Sequence, residues 1–245
     1  VVNNSNTNQH FAVASEGVSY KEPQLKFENT ASAGGDSMSY SAGPSSLENG
    51  YGGGIIGFSD ESTAGSASFT VRTGKVAPPE EGSTVGGEVS FSDTSTAATA
   101  SFKVYGTLGT DGDTFGNVVF HDDSNANHAT FTNVGGTVYK GDGGNTQFYD
   151  NANASHGIYL NHGGTFSKAN GGDTVFDGNS NGGHGHFYNR AAEVTGGNGG
   201  VMSFNNNPPN VNTGGSSAGN GFYHNYGATE SLHGGGGHIE FGAVH

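Results

Sequence analysis

The sequence predicts an all-β chain wound as a single-stranded parallel β-helix, a β-solenoid with about three short strands per ~28-residue coil and about seven to eight coils. Three observations predict it. Phenylalanine recurs along the chain at a nearly constant period. Around each of these residues apolar side chains return every second position, the mark of an extended strand. Glycine makes up 46 of 245 residues, and Gly-Gly pairs fall between the extended runs.

The first strand of each coil centres on Phe27, Phe58, Phe91, Phe120, Phe148, Phe176, Phe204 or Phe241, with spacings of 31, 33, 29, 28, 28, 28 and 37 residues. Two positions earlier stand Leu25, Ile56, Val89, Val118, Thr146, Thr174, Met202 and Ile239, which share a face with the anchor only in a strand. Turn formers follow, as in Ser59-Asp60-Glu61-Ser62, Ser92-Asp93-Thr94-Ser95 and His121-Asp122-Asp123-Ser124. A second strand centres eleven residues on, at Met38, Phe69, Phe102, Phe131, Tyr159 and Phe187, and at Phe222 after a longer loop. Thirteen of the sixteen Phe occupy these two positions, so the period is not an accident of composition. A third extended run follows Gly-Gly at Thr137-Val138-Tyr139 and Thr165-Phe166-Ser167. No segment keeps a helical apolar spacing over ten residues.

Stacked coils pair each strand in parallel with its equivalents above and below, about 4.8 Å apart. Each coil then borrows its core from its neighbours, which is how 31% apolar content orders the chain. The pairs Gly135-Gly136, Gly163-Gly164, Gly171-Gly172 and Gly199-Gly200 are expected at corners, where φ is positive or backbones approach closely. Asn133, Asn161 and Asn189, spaced by 28, are expected as a ladder of turn residues. Residues 1–24 lie off the repeat, as a cap or an intersubunit strand, and 25–245 form the solenoid, with an insertion loop near 207–217.

Composition excludes several functions. Eight Lys plus Arg against 22 Asp plus Glu leave a formal charge of −14, unsuited to nucleic acid or to an anionic membrane. No apolar run reaches the ~18 residues of a membrane-spanning helix. With no Cys there is no disulfide, thiolate metal site or cysteine nucleophile.

The openings Phe58-Ser59-Asp60-Glu61-Ser62, Phe91-Ser92-Asp93-Thr94-Ser95 and Phe120-His121-Asp122-Asp123-Ser124, with the Ala-Thr/Ser-Phe second strand, resemble right-handed parallel β-helix repeats of secreted bacterial adhesins and autotransporter passengers. The resemblance spans about residues 25–245, is specific for architecture rather than activity, and implies an extracellular or cell-surface location; the chain itself is expected to be a non-enzymatic structural protein, a fibre or appendage subunit or the stalk of an adhesin.

The candidate metal residues are His128, His156 and His184, again 28 apart and expected as a column on one edge. Three imidazoles in a line do not make a tetrahedral shell, so a duplicated solvent-facing turn residue accounts for them too. Polysaccharide-cleaving enzymes share this architecture. Asp122-Asp123 and Gly183-His184-Gly185 look like parts of one such site, but they lie two coils apart rather than one. Gly141-Asp142-Gly143-Gly144 and Thr110-Asp111-Gly112-Asp113 resemble calcium turns without tandem repetition, and ordinary Asp-Gly turn chemistry accounts for them. No cofactor is expected. The expected partner is another copy of the chain. The assembly ends are Leu25 and Phe27 on one side, Ile239 and Phe241 on the other, pairing head to tail by strand addition. The alternative is a polysaccharide-binding adhesin or a polysaccharide lyase or hydrolase, with Tyr149, Tyr188 and Tyr223 on an outward face for surface glycans.

Overall fold

The computed structural model describes residues 7–15, 23–45, 53–74, 86–108, 115–206, 215–229 and 233–243. Sixteen strands lie among the described residues, and no helix. The odd-numbered strands form one sheet: β1 (Gln9–Ser15), β3 (Met38–Ser45), β5 (Ser68–Val71), β7 (Ser101–Val104), β9 (Thr130–Asn133), β11 (Ile158–Asn161), β13 (His186–Asn189) and β15 (Phe222–Asn225). The even-numbered strands form the other: β2 (Gln24–Phe27), β4 (Ile55–Phe58), β6 (Glu88–Phe91), β8 (Asn117–Phe120), β10 (Asn145–Phe148), β12 (Asp173–Phe176), β14 (Val201–Asn206) and β16 (His238–Ala243). Every pairing joins strands one coil apart, in parallel, so the chain is a β-solenoid with two facing sheets.

The two predicted anchor columns form the core. In the even sheet, Phe27, Phe58, Phe91, Phe120, Phe148, Phe176, Phe204 and Phe241 stack nearly parallel, with neighbouring centroids 4.6–5.1 Å apart. The odd sheet carries Phe11, Tyr40, Phe69, Phe102, Phe131, Tyr159, Phe187 and Tyr223 in the same way. Across the core the columns meet edge to face, as Phe120 meets Phe131 at 5.8 Å and 77°. Ring quadrupoles favour both offset stacking and edge contact, so each interior ring, such as Phe120, is held on three sides.

Two second-strand anchors differ from the expected ones. Tyr40, not Met38, aligns with Phe69, although Met38 is also buried. Tyr223, not Phe222, aligns with Phe187, and Phe222 points outward. In both cases a tyrosine fills the anchor position. Its hydroxyl is accommodated because it reaches a backbone carbonyl at the facing corner: Tyr40 donates to Ala33 O (2.7 Å), Tyr159 to Ala154 O (3.0 Å) and Tyr223 to Ala218 O. Burial pushes the Tyr40 and Tyr223 hydroxyls up to about 12.

The third parallel contact of each coil is one residue long. Ser32, Thr63, Thr96, Asn125, Asn153, Asn181 and Ser217 form a ladder of isolated bridges. The runs Thr137-Val138-Tyr139 and Thr165-Phe166-Ser167 lie in loop, bend and turn, with Tyr139 and Phe166 about half exposed. Part of the off-repeat segment is in the stack, since β1 pairs in parallel with β3. Residues 207–214 of the expected insertion loop lie outside the described residues.

The glycine pairs serve close approach rather than positive φ. None of Gly135, Gly136, Gly163, Gly164, Gly171, Gly172, Gly199 and Gly200 has positive φ. A Cβ on Gly171 would sit 2.2 Å from the Gly199 carbonyl oxygen of the next coil. A Cβ on Gly172 would sit 2.2 Å from Asn133 O of the facing sheet. The left-handed corners are taken largely by other residues: Asn29, Asp60, Asp93, Asp122 and Asp150 at one, Ala98, Asn127 and Ser155 at another.

Candidate functional site

Parallel stacking builds four arrays of polar side chains, each a candidate for a site. The first is the histidine column. His128, His156 and His184 follow the third bridge residue by three positions, so parallel stacking superimposes them. Their rings stack at 5.0 and 5.1 Å, all three exposed. Stacked rings present faces, not nitrogen lone pairs, to each other, so they do not converge on one ion. Among the described residues no group of three or more His, Cys, Asp or Glu is arranged to hold a metal.

The second array is the acidic turn that opens each coil. Asp60, Asp93, Asp122 and Asp150 have φ of 52–56°. Each carboxylate accepts the backbone N–H of the preceding coil's turn: Asp60 from Asn29, Asp93 from Asp60, Asp122 from Asp93 and Asp150 from Asp122, at 2.8–3.2 Å. The Asp of the repeated opening motif is thereby used in holding coil to coil. Asp122 and the Gly183-His184-Gly185 turn sit at different corners, and the structure does not bring them together.

The third is a buried amide ladder. Asn133, Asn161 and Asn189 end β9, β11 and β13 facing inward and are fully buried. The sequence predicts left-handed turn residues here, but none of the three has positive φ. Each Nδ2 donates to the next Oδ1, at 2.9, 2.8 and 2.9 Å, ending on Asn225. Each also donates across the core to a carbonyl of the even sheet: Asp173, Val201 and His238. Thr146 and Thr174 donate to the Oδ1 of Asn133 and Asn161. In earlier coils the same positions hold Ala42, Val71 and Val104, facing Ile56, Val89 and Val118. The interior thus changes from apolar to hydrogen-bonded partway along the solenoid.

The fourth is a groove of about 590 Å³ on the outer side of the even sheet. Its floor includes Asn145, Asp173, Ser203, His238 and Glu240, and its wall the loop column Asp142, Asn170 and Asn198. Asn170 Nδ2 donates to Asp142 Oδ1 (2.5 Å) and Asn198 Nδ2 to Asn170 Oδ1 (2.6 Å), so Asp142 does have counterparts in the following coils. No Lys or Arg lines the groove. Burial, then the charge of Asp142, pushes the Asp173 carboxyl up to about 7. Sequence reasoning misses these residues because the repeat is defined by its inward positions. A signal for them is present in the polar series Glu88, Asn117, Asn145 and Asp173, each three positions before the Phe anchor of its even strand.

The predicted ends differ from each other. Phe27 is 3% exposed, closed over within the stack, and Leu25 is half-buried. Phe241, in β16, is 70% exposed and Ile239 half-buried. Beside them Phe222 is 50% and Tyr226 42% exposed, and Asn225 is open to solvent. No protein family model, curated protein or solved structure matches the chain.

Of the three tyrosines expected on an outward face, Tyr188 lies there, stacked on His224 at 5.5 Å. Tyr223 points into the core, because it occupies the anchor register. Tyr149 is half-buried at a turn, its ring on His121 and its hydroxyl donating to Gln147 Oε1 (3.1 Å).

Proposed function

We propose that the chain is a non-enzymatic structural protein of the cell exterior, whose coils stack end to end with those of further copies into a fibre. The observation that carries this reading is the edge formed by β15 and β16. Neither strand has a further neighbour among the described residues. That edge presents unpaired backbone groups, the exposed Phe241 ring and the Asn225 amide that would continue the buried ladder. A copy docking its β1 against β15 would repeat a parallel pairing the chain already makes seven times in that sheet. The receiving edge is β1, where Phe11 is 37% exposed. A contact between two different ends does not close on itself and grows into a filament. The exterior location rests on the sequence resemblance.

Negative-stain imaging and light scattering of concentrated protein test this. Filaments are expected, and Phe241→Asp, which sets a carboxylate on the stacking edge, should abolish them while leaving the monomer folded. A monodisperse monomer at high concentration would sink the reading.

The outward aromatic surface of β13 and β15 favours a second reading, an adhesin that binds glycans. His186, Tyr188, Phe222 and His224 contact one another there, and the Arg190 guanidinium lies 5.5 Å from the Tyr226 ring centre. Glycan-array binding lost in Tyr226→Ala would support it; an empty array would remove it.

A further inference from the structure

Asn117, Asn145 and Asp173 occupy one register position on three consecutive strands of the even sheet, β8, β10 and β12. They open their strands on the outward side. The Oδ1 of each is buried and has no hydrogen-bond partner. Asn145 as a whole is only 7% exposed, and it lines the groove together with Asp142 and Asp173. A buried acceptor without a donor is costly, and packing alone does not account for a run of three in adjacent coils.

The surroundings restrict what can satisfy them. The unpartnered atoms are all acceptors, so an anion is excluded. The groove supplies no Lys or Arg, and its one imidazole, His238, is engaged with Glu240 at 2.9 Å. The donor set is oxygen: the carboxylates of Asp173 and Asp142 and the amide carbonyl of Asn145. Parallel strands hold equivalent side chains about 4.8 Å apart, twice the Ca–O distance of about 2.4 Å, so one ion fits between two successive oxygens. Water on the open side of the groove would complete the roughly six to eight oxygens that calcium takes.

We propose that this groove is a binding site for a hard divalent cation of the calcium class, held between Asn145 Oδ1 and Asp173 Oδ1 with Asp142 completing the charge. The ion ties β10 to β12 and to the loop wall. The groove runs out to His238 and Glu240 of the β16 edge, but the ion itself sits between β10 and β12, two strands in from that edge.

The test uses the full chain, stripped with chelator and titrated with calcium chloride by calorimetry in buffer with ordinary salt. Saturable binding near one ion per chain is expected, with Tm rising as calcium is added. Asp173→Asn and Asn145→Leu should each weaken binding by about tenfold or more. Asp123→Asn, at an exposed turn, should leave it unchanged. Absence of saturable heat together with an unmoved Tm would overturn the site, as would undiminished binding in Asp173→Asn. A readout on the unaltered chain covers the case in which these variants fail to fold. Terbium should emit on tyrosine excitation, sensitised by Tyr149, whose hydroxyl bonds Gln147 Oε1 on β10, and calcium should quench that emission by competition. Lack of emission, or emission that calcium does not displace, counts against the site.

Discussion

Asn161 uses its whole hydrogen-bonding capacity inside the protein. Its Oδ1 accepts from Asn133 and Thr174, and its Nδ2 donates to Asn189 and to Val201 O. An amide in a core is tolerated only on those terms, since each unmet buried group costs about 1–3 kcal/mol. Asn161→Ala removes one residue but strands several partners, so a loss on the order of 3 kcal/mol or more is expected by urea unfolding. Asn225→Ala, at the exposed end of the ladder, should cost less than about 1 kcal/mol in the same assay. Asp173 is the opposite case, a carboxyl oxygen buried without a donor. Its pKa rises from 3.8 to about 7 on folding, through burial and then the neighbouring Asp142. The folded chain therefore holds this proton more tightly than the unfolded chain does. The contribution is complete below about pH 4, is lost as pH rises to about 7, and is flat above that. In calcium-free buffer, Asp173→Asn should remove this downward slope from a pH series of melting temperatures. A slope unchanged by the substitution would contradict the assignment.

At the scale of the element, four-residue strands carry the fold because each is repeated in register. A strand this short is unstable alone, and here it is paired on both sides in all but the outermost coils. The glycine edge sets how closely successive coils stack. Gly143, Gly171 and Gly199 each leave room for only a hydrogen where the next coil's carbonyl passes, the added Cβ falling 2.2 Å from it. Gly171→Ala should therefore cost more than about 4 kcal/mol or prevent folding, whereas Gly227→Ala, with nothing within 4 Å, should stay within about 0.5 kcal/mol. Thermal melts of the two variants decide this. The period and the inward Phe were legible because a ring repeated at a fixed spacing marks the same inward position in every coil. The choice of Tyr40 over Met38 and Tyr223 over Phe222 was not legible, because both neighbours are apolar and a shift of one or two positions leaves the local pattern plausible. Register decides between them, and register is a property of the stack.

For the whole molecule, net charge and exposed apolar surface bear on the proposed association. The chain carries a formal charge of −14 at neutral pH, so the proposed end-to-end contact has to form against repulsion between copies. Screening acts over about 10 Å at 0.1 M salt. End-to-end growth, followed by light scattering, should accordingly be faster at about 150 mM than at about 10 mM sodium chloride. Slower growth at the higher salt would mean that complementary charges rather than stacking edges drive the contact. The two ends are also unlike, with Phe27 closed over and Phe241 open, so the proposed contact rests on the edge at β15 and β16. That asymmetry is not visible in the repeat, where Phe27 and Phe241 hold equivalent positions.

The sequence by itself determined the solenoid, its period and the residues that stack in its core, because periodicity is carried by the order of side chains along the chain. It also placed His128, His156 and His184 in one column, and the structure stacks them without making them converge. The tertiary structure alone decided how residues a coil apart, or on facing sheets, use one another: the amide ladder that replaces valine, the glycine edge, and the groove where Asn145 and Asp173 point unpartnered oxygens. The reason is physical. A hydrogen bond or an ion site depends on direction and distance across the stack, and spacing along the chain does not reveal which way an amide faces.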